Sequence, residues 1–236
     1  MEMSSLAVFL GIVLAILIFV SVVLSFFMLI NGSLSRRSVC YTFMVLCISG
    51  YSVIGYLYTV GNDEIVTSRT FVYVAGIVLN LMLLSIFMAF LSLLKLSKKD
   101  FILASIFATI PLLVLMPRYF LSGHDMEFIV MRVDGESHSY YDAAELLYNY
   151  IQMAVYGGAG LIFAFMNMRS TRNIKRVYVH AKIAFIGGIF AFIAMFTFQL
   201  LLEVIPYAHS ISHIMLFVVV FSSFRAFAYI PDEGGA

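Results

Sequence analysis

Residues 6–30 read LAVFLGIVLAILIFVSVVLSFFMLI, an apolar run without a single charged side chain. A bilayer core about 30 Å thick needs roughly 20 such residues in a helix. Six more apolar runs of similar length follow, so that the full set is 6–30, 39–60, 69–94, 101–121, 145–168, 182–204 and 211–230. The sequence therefore predicts an all-α integral membrane protein, in which residues 1–236 form a single seven-transmembrane helix bundle.

The composition supports this class and excludes others. Hydrophobic residues make up 63% of the chain and charged residues 11%, with a mean hydropathy of +1.03. A soluble domain has about a quarter of its residues charged. The chain has no phosphate-binding loop and no nucleic-acid patch, so we expect membrane lipids and no nucleic acid among its partners. A cell membrane, crossed several times, is the expected location.

Basic residues are distributed unevenly along the chain, and their distribution predicts an orientation. Eleven of the 14 Lys and Arg residues fall on one side of the predicted spans, and ten of the 13 acids fall on the other. Cytoplasmic loops carry the excess of Lys and Arg in membrane proteins. We therefore predict that the N-terminus lies outside and the C-terminus inside.

The connection between the fourth and fifth spans carries a hairpin signal at residues 127–141. Asp134-Gly135 is flanked on both sides by residues that favour strands. An Asp-Gly pair in this setting is typical of a type I′ turn, which needs positive φ at both central residues. We predict strands at 127–133 and 136–141, folded as an outer lid over the bundle.

Polar side chains within the apolar runs are candidate binding residues, because they are costly inside a membrane. They converge on the outer half of the predicted bundle, beneath the expected lid. Hydrogen bonds between helices are the alternative explanation. The predicted ligand-binding residues are Arg69, Tyr73, Asn80, Tyr148, Asn149, Gln152, Gln199 and Glu203.

His209 and His213 raise the alternative of a metal site. Two histidines four residues apart lie on one helical face and can share a zinc ion, which could activate water for hydrolysis. The spacing is similar to the His-x-x-x-His of the adiponectin-receptor and alkaline-ceramidase superfamily. That superfamily also carries a histidine in its second helix and an aspartate in its third, and neither is present here. We expect no metal and no other cofactor. A retinal protein is excluded, since residues 211–230 contain no lysine.

Four stretches carry a resemblance to a known family. They are SRTFVYVAGIVLNLMLLSIFMAFLSLLK at 68–95, FLSGHD at 120–125, NMRSTRNIKRVYVHAKIAFIGGIFAFI at 167–193 and EVIPYAHSISHIMLFVVVFSSFRAFAYIP at 203–231. With these, the chain resembles the seven-transmembrane N-terminal sensor region of bacterial and archaeal histidine kinases and diguanylate cyclases. In that family the output domain follows the last helix, whereas here only DEGGA follows Pro231.

The resemblance implies a non-enzymatic receptor or sensor module for signal transduction. Such a module would bind a small ligand or lipid in the outer half of the bundle, and a partner protein would carry the output. A structural subunit of a membrane complex is the first alternative. A zinc-dependent intramembrane hydrolase that uses His209 and His213 is the second.

Overall fold

The computed structural model describes the backbone of residues 5–31, 35–60, 69–121, 130–131, 137–138, 143–200 and 208–229. Side chains are described for 5–31, 35–57, 74–110, 150–197 and 210–228. The described residues form seven helices: α1 Ser5–Asn31, α2 Arg36–Val60, α3 Arg69–Ser92, α4 Lys98–Leu121, α5 Ala143–Ser170, α6 Lys175–Leu200 and α7 Ala208–Tyr229. Their order confirms the predicted all-α bundle, and their bounds lie within a few residues of the predicted spans except at the start of α6.

Six of the seven helices are long and apolar enough to cross a membrane, when the search covers only the described residues. Large apolar side chains cover their outer surfaces. On α1, for example, Phe19 is 70% exposed and Ile30 is 80% exposed. A soluble protein rarely exposes such a continuous apolar surface. The chain is therefore a multi-pass membrane protein.

Local hydrogen bonds mark where two of the helices begin. The Ser35 hydroxyl accepts a bond from the backbone N–H of Ser38 (3.2 Å) ahead of α2. At α4, Ser97 accepts from the Asp100 N–H (3.1 Å) and donates to the Asp100 carboxylate (2.6 Å). Both arrangements cap otherwise unpaired N–H groups of a first helical turn.

The start of α6 differs from the prediction. The predicted span began at residue 182, but α6 begins at Lys175, and α5 ends at Ser170. The basic stretch at 169–182 is therefore mostly helical: it extends the two spans and contains a turn at 171–174. The helix continues past the bilayer because it pairs the backbone N–H and C=O groups, and because long basic side chains can place their charges in water there.

Basic side chains mark one end of the bundle, which we call the basic end. Every Lys or Arg whose side chain is described lies at or near this end. Arg36 donates to the Leu96 carbonyl (3.2 Å) and lies 4.8 Å from the centre of the Phe101 ring. Arg37 is buried and donates to the Ser92 carbonyl (3.4 Å). These bonds tie α2 to the end of α3. That the basic end faces the cytoplasm stays a prediction.

Five helices form a closed ring. Packed neighbours are α2 with α3, α3 with α5, α5 with α6, α6 with α7, and α7 with α2. The other two helices lie outside the ring. Helix α1 packs on α2 and α7, and α4 packs on α3. The Tyr156 hydroxyl adds a bond from α5 to the Ala108 carbonyl of α4 (2.6 Å). The interior of the ring is therefore enclosed by α2, α3, α5, α6 and α7.

The connection between α4 and α5 contains one short pair of strands in its described part. They are β1 Val130–Met131 and β2 Ser137–His138, which pair antiparallel with Val130 opposite His138. The rest of the predicted strands lies outside the described residues. A two-stranded ribbon of this length is not stable by itself. The predicted hairpin lid over the bundle is therefore not supported.

Candidate functional site

An apolar cavity of about 40 Å³ lies inside the ring, between α3, α5, α6 and α7. Its walls contain no polar side chain. Two glycines of α5 and one of α6 line it, and the Phe192 ring packs against Gly157 where a side chain would otherwise lie. The lining residues are Leu83, Ile86, Phe90, Gly157, Gly160, Leu161, Gly188, Ala191, Phe192, Met195, Leu216 and Val219.

An aromatic cluster closes the cavity toward the basic end. Phe90, which lines the cavity, lies 6.1 Å from the Phe227 ring, and Phe227 lies 5.0 Å from the Tyr41 ring. All three side chains are buried. Tyr41 also donates its hydroxyl to the Val220 carbonyl of α7 (2.9 Å). We call Tyr41, Phe90 and Phe227 the aromatic floor. It lies between the cavity and the basic end of the bundle.

Removing the Tyr41 hydroxyl should weaken this floor without changing its shape. We expect Tyr41→Phe to lower the free energy of unfolding by about 1 kcal/mol, because one buried hydrogen bond is lost while the ring stays packed. The effect is measured by unfolding the protein in mixed detergent micelles while its helical content is monitored. Tyr178→Phe, on the half-buried basic part of α6, is the matched control. Equal stability of Tyr41→Phe and the wild type would contradict a stabilising role for this bond.

Buried polar side chains lie one to two turns from the cavity, toward the end opposite the basic end. Asn80 precedes Leu83 by three residues on α3, and Ser212 precedes Leu216 by four on α7. Residues three or four apart share one face of a helix. Gln152 precedes Gly160 by eight residues on α5. We call Ser49, Ser52, Asn80, Gln152 and Ser212 the polar layer.

Packing between the helices places these residues at a similar depth. A Cβ at Gly160 would lie 3.5 Å from Ile86, which fixes the register of α3 against α5. The two helices run parallel and rise about 1.5 Å per residue. Asn80 therefore lies about 9 Å from Ile86 along α3, and Gln152 lies about 12 Å from Gly160 along α5, both away from the basic end. Their depths therefore differ by about 3 Å.

One aromatic contact between α2 and α7 shows that their serines lie at the same depth. The Tyr51 ring of α2 lies 4.4 Å from the His213 ring of α7. Ser52 and Ser212 are the chain neighbours of these two residues. A Cβ at Gly50, between Ser49 and Ser52, would lie 3.8 Å from a Val78 methyl group. Val78 is close to Asn80 on α3, so α2, α3 and α7 contribute to one layer.

Three atoms of the polar layer lack a hydrogen-bond partner among the described groups. Asn80 donates its Nδ2 to the Gly76 carbonyl (2.7 Å), but its Oδ1 accepts no bond. The hydroxyls of Ser49 and Ser52 also have no partner there. The three side chains are 4%, 6% and 0% exposed. A buried polar atom without a partner costs roughly 1–3 kcal/mol. The layer is therefore chemically suited to a polar molecule.

His213, in the second turn of α7, is completely buried. Its ring packs on Tyr51 and covers Gly55, where a side chain would collide with it. His209 lies in α7, but its side chain lies outside the described part. Among the described residues, no group of three His, Cys, Asp or Glu could hold a metal ion.

The predicted ligand-binding residues are described to different extents. Asn80 and Gln152 are both buried and lie at similar depth. Glu203 lies outside the described residues. For the remaining five, only the backbone is described, which places each of them in a helix: Arg69, Tyr73, Tyr148, Asn149 and Gln199. Gln199 follows Met195 of the cavity wall by one turn, so α6 also has a polar position beyond the cavity.

Sequence reasoning missed three members of the polar layer. Ser49, Ser52 and Ser212 are small residues that occur commonly between packed membrane helices. The spacing of Ser49 and Ser52, three residues apart on one helix face, was the available signal. Whether the hydroxyls of Ser49 and Ser52 find a partner depends on the neighbouring helices, which no pattern within α2 specifies.

Fold and site together define a multi-pass helical membrane protein with an apolar cavity between its helices and a buried polar layer nearby. The comparisons with known proteins do not narrow this class. No protein-family model matches the chain, and no curated protein matches it.

Proposed function

We propose that this chain is a non-enzymatic membrane receptor or sensor module. It binds a small ligand or lipid in the outer half of its helix bundle and signals through a partner protein. The observation that carries the proposal is the polar layer, with its three unpaired buried atoms, next to an apolar cavity. Binding sites for small molecules combine apolar walls with a few placed polar groups in this way.

The closed floor favours binding over transport. A conducting pathway along the ring axis would need an opening past Phe90, Phe227 and Tyr41, all of which are buried and in mutual contact through Phe227. A molecule that reached the cavity from the polar layer would therefore stop there. This supports a receptor pocket rather than a channel along this axis.

The same floor offers a route for a signal. Phe90 belongs to both the cavity wall and the aromatic floor, so a ligand that displaces it would disturb Phe227 on α7. Phe227 is close to the end of α7, at the basic end. A ligand that favours one packing arrangement of these rings would shift the population of α7 positions. A partner protein at the basic end, predicted to be cytoplasmic, would detect that shift.

The resemblance to bacterial and archaeal sensor regions agrees with this role and suggests the plasma or inner membrane as the location. A structural subunit of a membrane complex is the second candidate. It is favoured by α1, which in the described part of the chain packs mainly on α2 and α7 and exposes most of its large apolar side chains. A zinc hydrolase would instead require zinc bound through His209 and His213.

Asn80→Leu separates a receptor from a structural subunit. We expect this variant to fold with a stability within about 1 kcal/mol of the wild type, because the one described bond of Asn80 joins its own helix and the lost amide was partly unpaired. Ligand binding should be lost, since the polar layer then lacks the unpaired Oδ1 of Asn80.

A fluorophore at the basic end of α7 reports the outcome. It is attached to Ala228→Cys, an exposed position, in protein whose two cysteines, Cys40 and Cys47, are replaced by alanine. The probe is an organic extract of the producing cells, added to reconstituted protein. Addition of the extract should change the fluorescence emission of the labelled parent protein, which retains Asn80, and should leave the emission of the labelled Asn80→Leu variant constant. Ser105→Ala, a polar deletion on α4 outside the ring, should respond like the parent protein. An equal response of parent and Asn80→Leu, or none in either, would contradict the proposal.

A further inference from the structure

We infer that the pocket takes a compact, uncharged amphiphile of the short-chain alcohol class. Its hydroxyl head would bond within the polar layer, and its alkyl end would enter the apolar cavity. The inference rests on the proposed function and specifies the chemical class of the ligand.

The polar layer selects an uncharged head that can both donate and accept. Asn80 uses its Nδ2 on the Gly76 carbonyl, so the Oδ1 remains as an acceptor and needs a donor. The hydroxyls of Ser49 and Ser52 can donate or accept. None of the five residues of the layer carries a charge, and no Lys, Arg, Asp or Glu with a described side chain lies at this depth to pair with a charged head. A hydroxyl group satisfies these requirements with few atoms.

The cavity limits the apolar end. A cavity needs a volume of roughly 10–15 Å³ to hold one water-sized group. The cavity of about 40 Å³ therefore has room for about three such groups. Its walls are entirely apolar, which excludes a second polar group at that end. Propyl and butyl chains match this volume, whereas longer chains exceed it.

Two glycines of α5 provide a matched pair of variants. In Gly160→Ala the new Cβ would meet Ile86 at 3.5 Å and Phe90 at 3.7 Å, which is ordinary contact, so the methyl group fits and occupies the cavity. In Gly158→Ala the new Cβ would meet nothing within 4 Å. Both changes raise helix propensity equally, so they differ only in the space that they fill.

The experiment measures the midpoint of thermal unfolding of the full chain in detergent, with 1-alkanols from ethanol to 1-octanol at equal concentration. General destabilisation by alcohols should grow steadily with chain length. We expect the wild type to show a superimposed stabilisation that peaks at 1-propanol or 1-butanol. Binding of the best alcohol, measured by ligand-detected NMR, should weaken at least tenfold in Gly160→Ala and in Asn80→Leu, and stay within twofold in Gly158→Ala.

Each outcome decides the inference. A steady trend without a peak in the wild type would overturn it, as would unchanged binding in Gly160→Ala. Failure here is distinguishable from failure of the receptor proposal. If the cell extract changes the α7 fluorescence through Asn80 while no alkanol binds, the pocket is a receptor site for another chemical class.

Discussion

Replacing Gly187 by alanine should separate α6 from α7 and lower the free energy of unfolding by about 3 kcal/mol. The new Cβ would be built far inside contact distance of both Cβ and Oγ of Ser222. Rotation of the serine hydroxyl cannot relieve the clash, because the Cβ of Ser222 does not move with that rotation. These two helices form the most extensive helix pair in the described bundle. The higher helix propensity of alanine, about 1 kcal/mol, offsets only part of the loss.

Unfolding in mixed detergent micelles tests this expectation, with Gly158→Ala as the control. The control gains the same helix propensity at a position with open space around it. Adding Ser222→Gly to Gly187→Ala should restore most of the lost stability, since the clash is removed from the other side. If Gly187→Ala is as stable as Gly158→Ala, the close approach of α6 and α7 at this point is wrong.

Replacing Gly55 by alanine should have the second largest effect, about 2–3 kcal/mol of lost stability. The new Cβ would lie within the space of the His213 ring. That ring is completely buried and packed on Tyr51, so it has no free space to enter. Helices α2 and α7 would have to move apart at the depth of the polar layer. We therefore expect ligand binding to fall together with stability.

Gly50→Ala, one and a half turns away on α2, is the matched control. Its Cβ would lie 3.8 Å from the nearest Val78 methyl group, an ordinary contact. The double variant Gly55→Ala/His213→Ala should be more stable than Gly55→Ala alone, because the smaller side chain leaves room for the new methyl group. A double variant that is less stable than Gly55→Ala would contradict the proposed collision.

The seven helices could be predicted from the sequence because few backbone conformations are stable inside a lipid bilayer. Every backbone N–H and C=O must be paired within the bilayer, so an apolar run of about 20 residues forms a helix. Boundaries were harder to predict. Helix α6 begins at Lys175, ahead of the predicted apolar span at 182, because hydropathy marks the edge of the bilayer rather than the end of a helix.

The candidate site could be predicted only in part. Asn80 and Gln152 stand out as polar residues in apolar runs, and both are buried at similar depth. The burial of His213 could not be predicted, because it depends on Gly55 of another helix making room for the ring. The cavity likewise depends on glycines of α5 and α6, which are neighbouring helices of the ring. Such relations arise from the packing of distant segments, and a single sequence does not encode them in a readable pattern.

The central proposal is that the polar layer is reached from the outer side while the aromatic floor closes the inner side. Asn80→Cys in protein lacking Cys40 and Cys47 tests it, with a small membrane-impermeant thiol reagent applied to vesicles of either orientation. Ile162→Cys, whose exposed side chain faces lipid, is the unreactive control. We predict that Asn80→Cys reacts from the outer side only, and that 1-butanol slows the reaction. Reaction from the inner side, or no reaction from the outer side, would contradict the account.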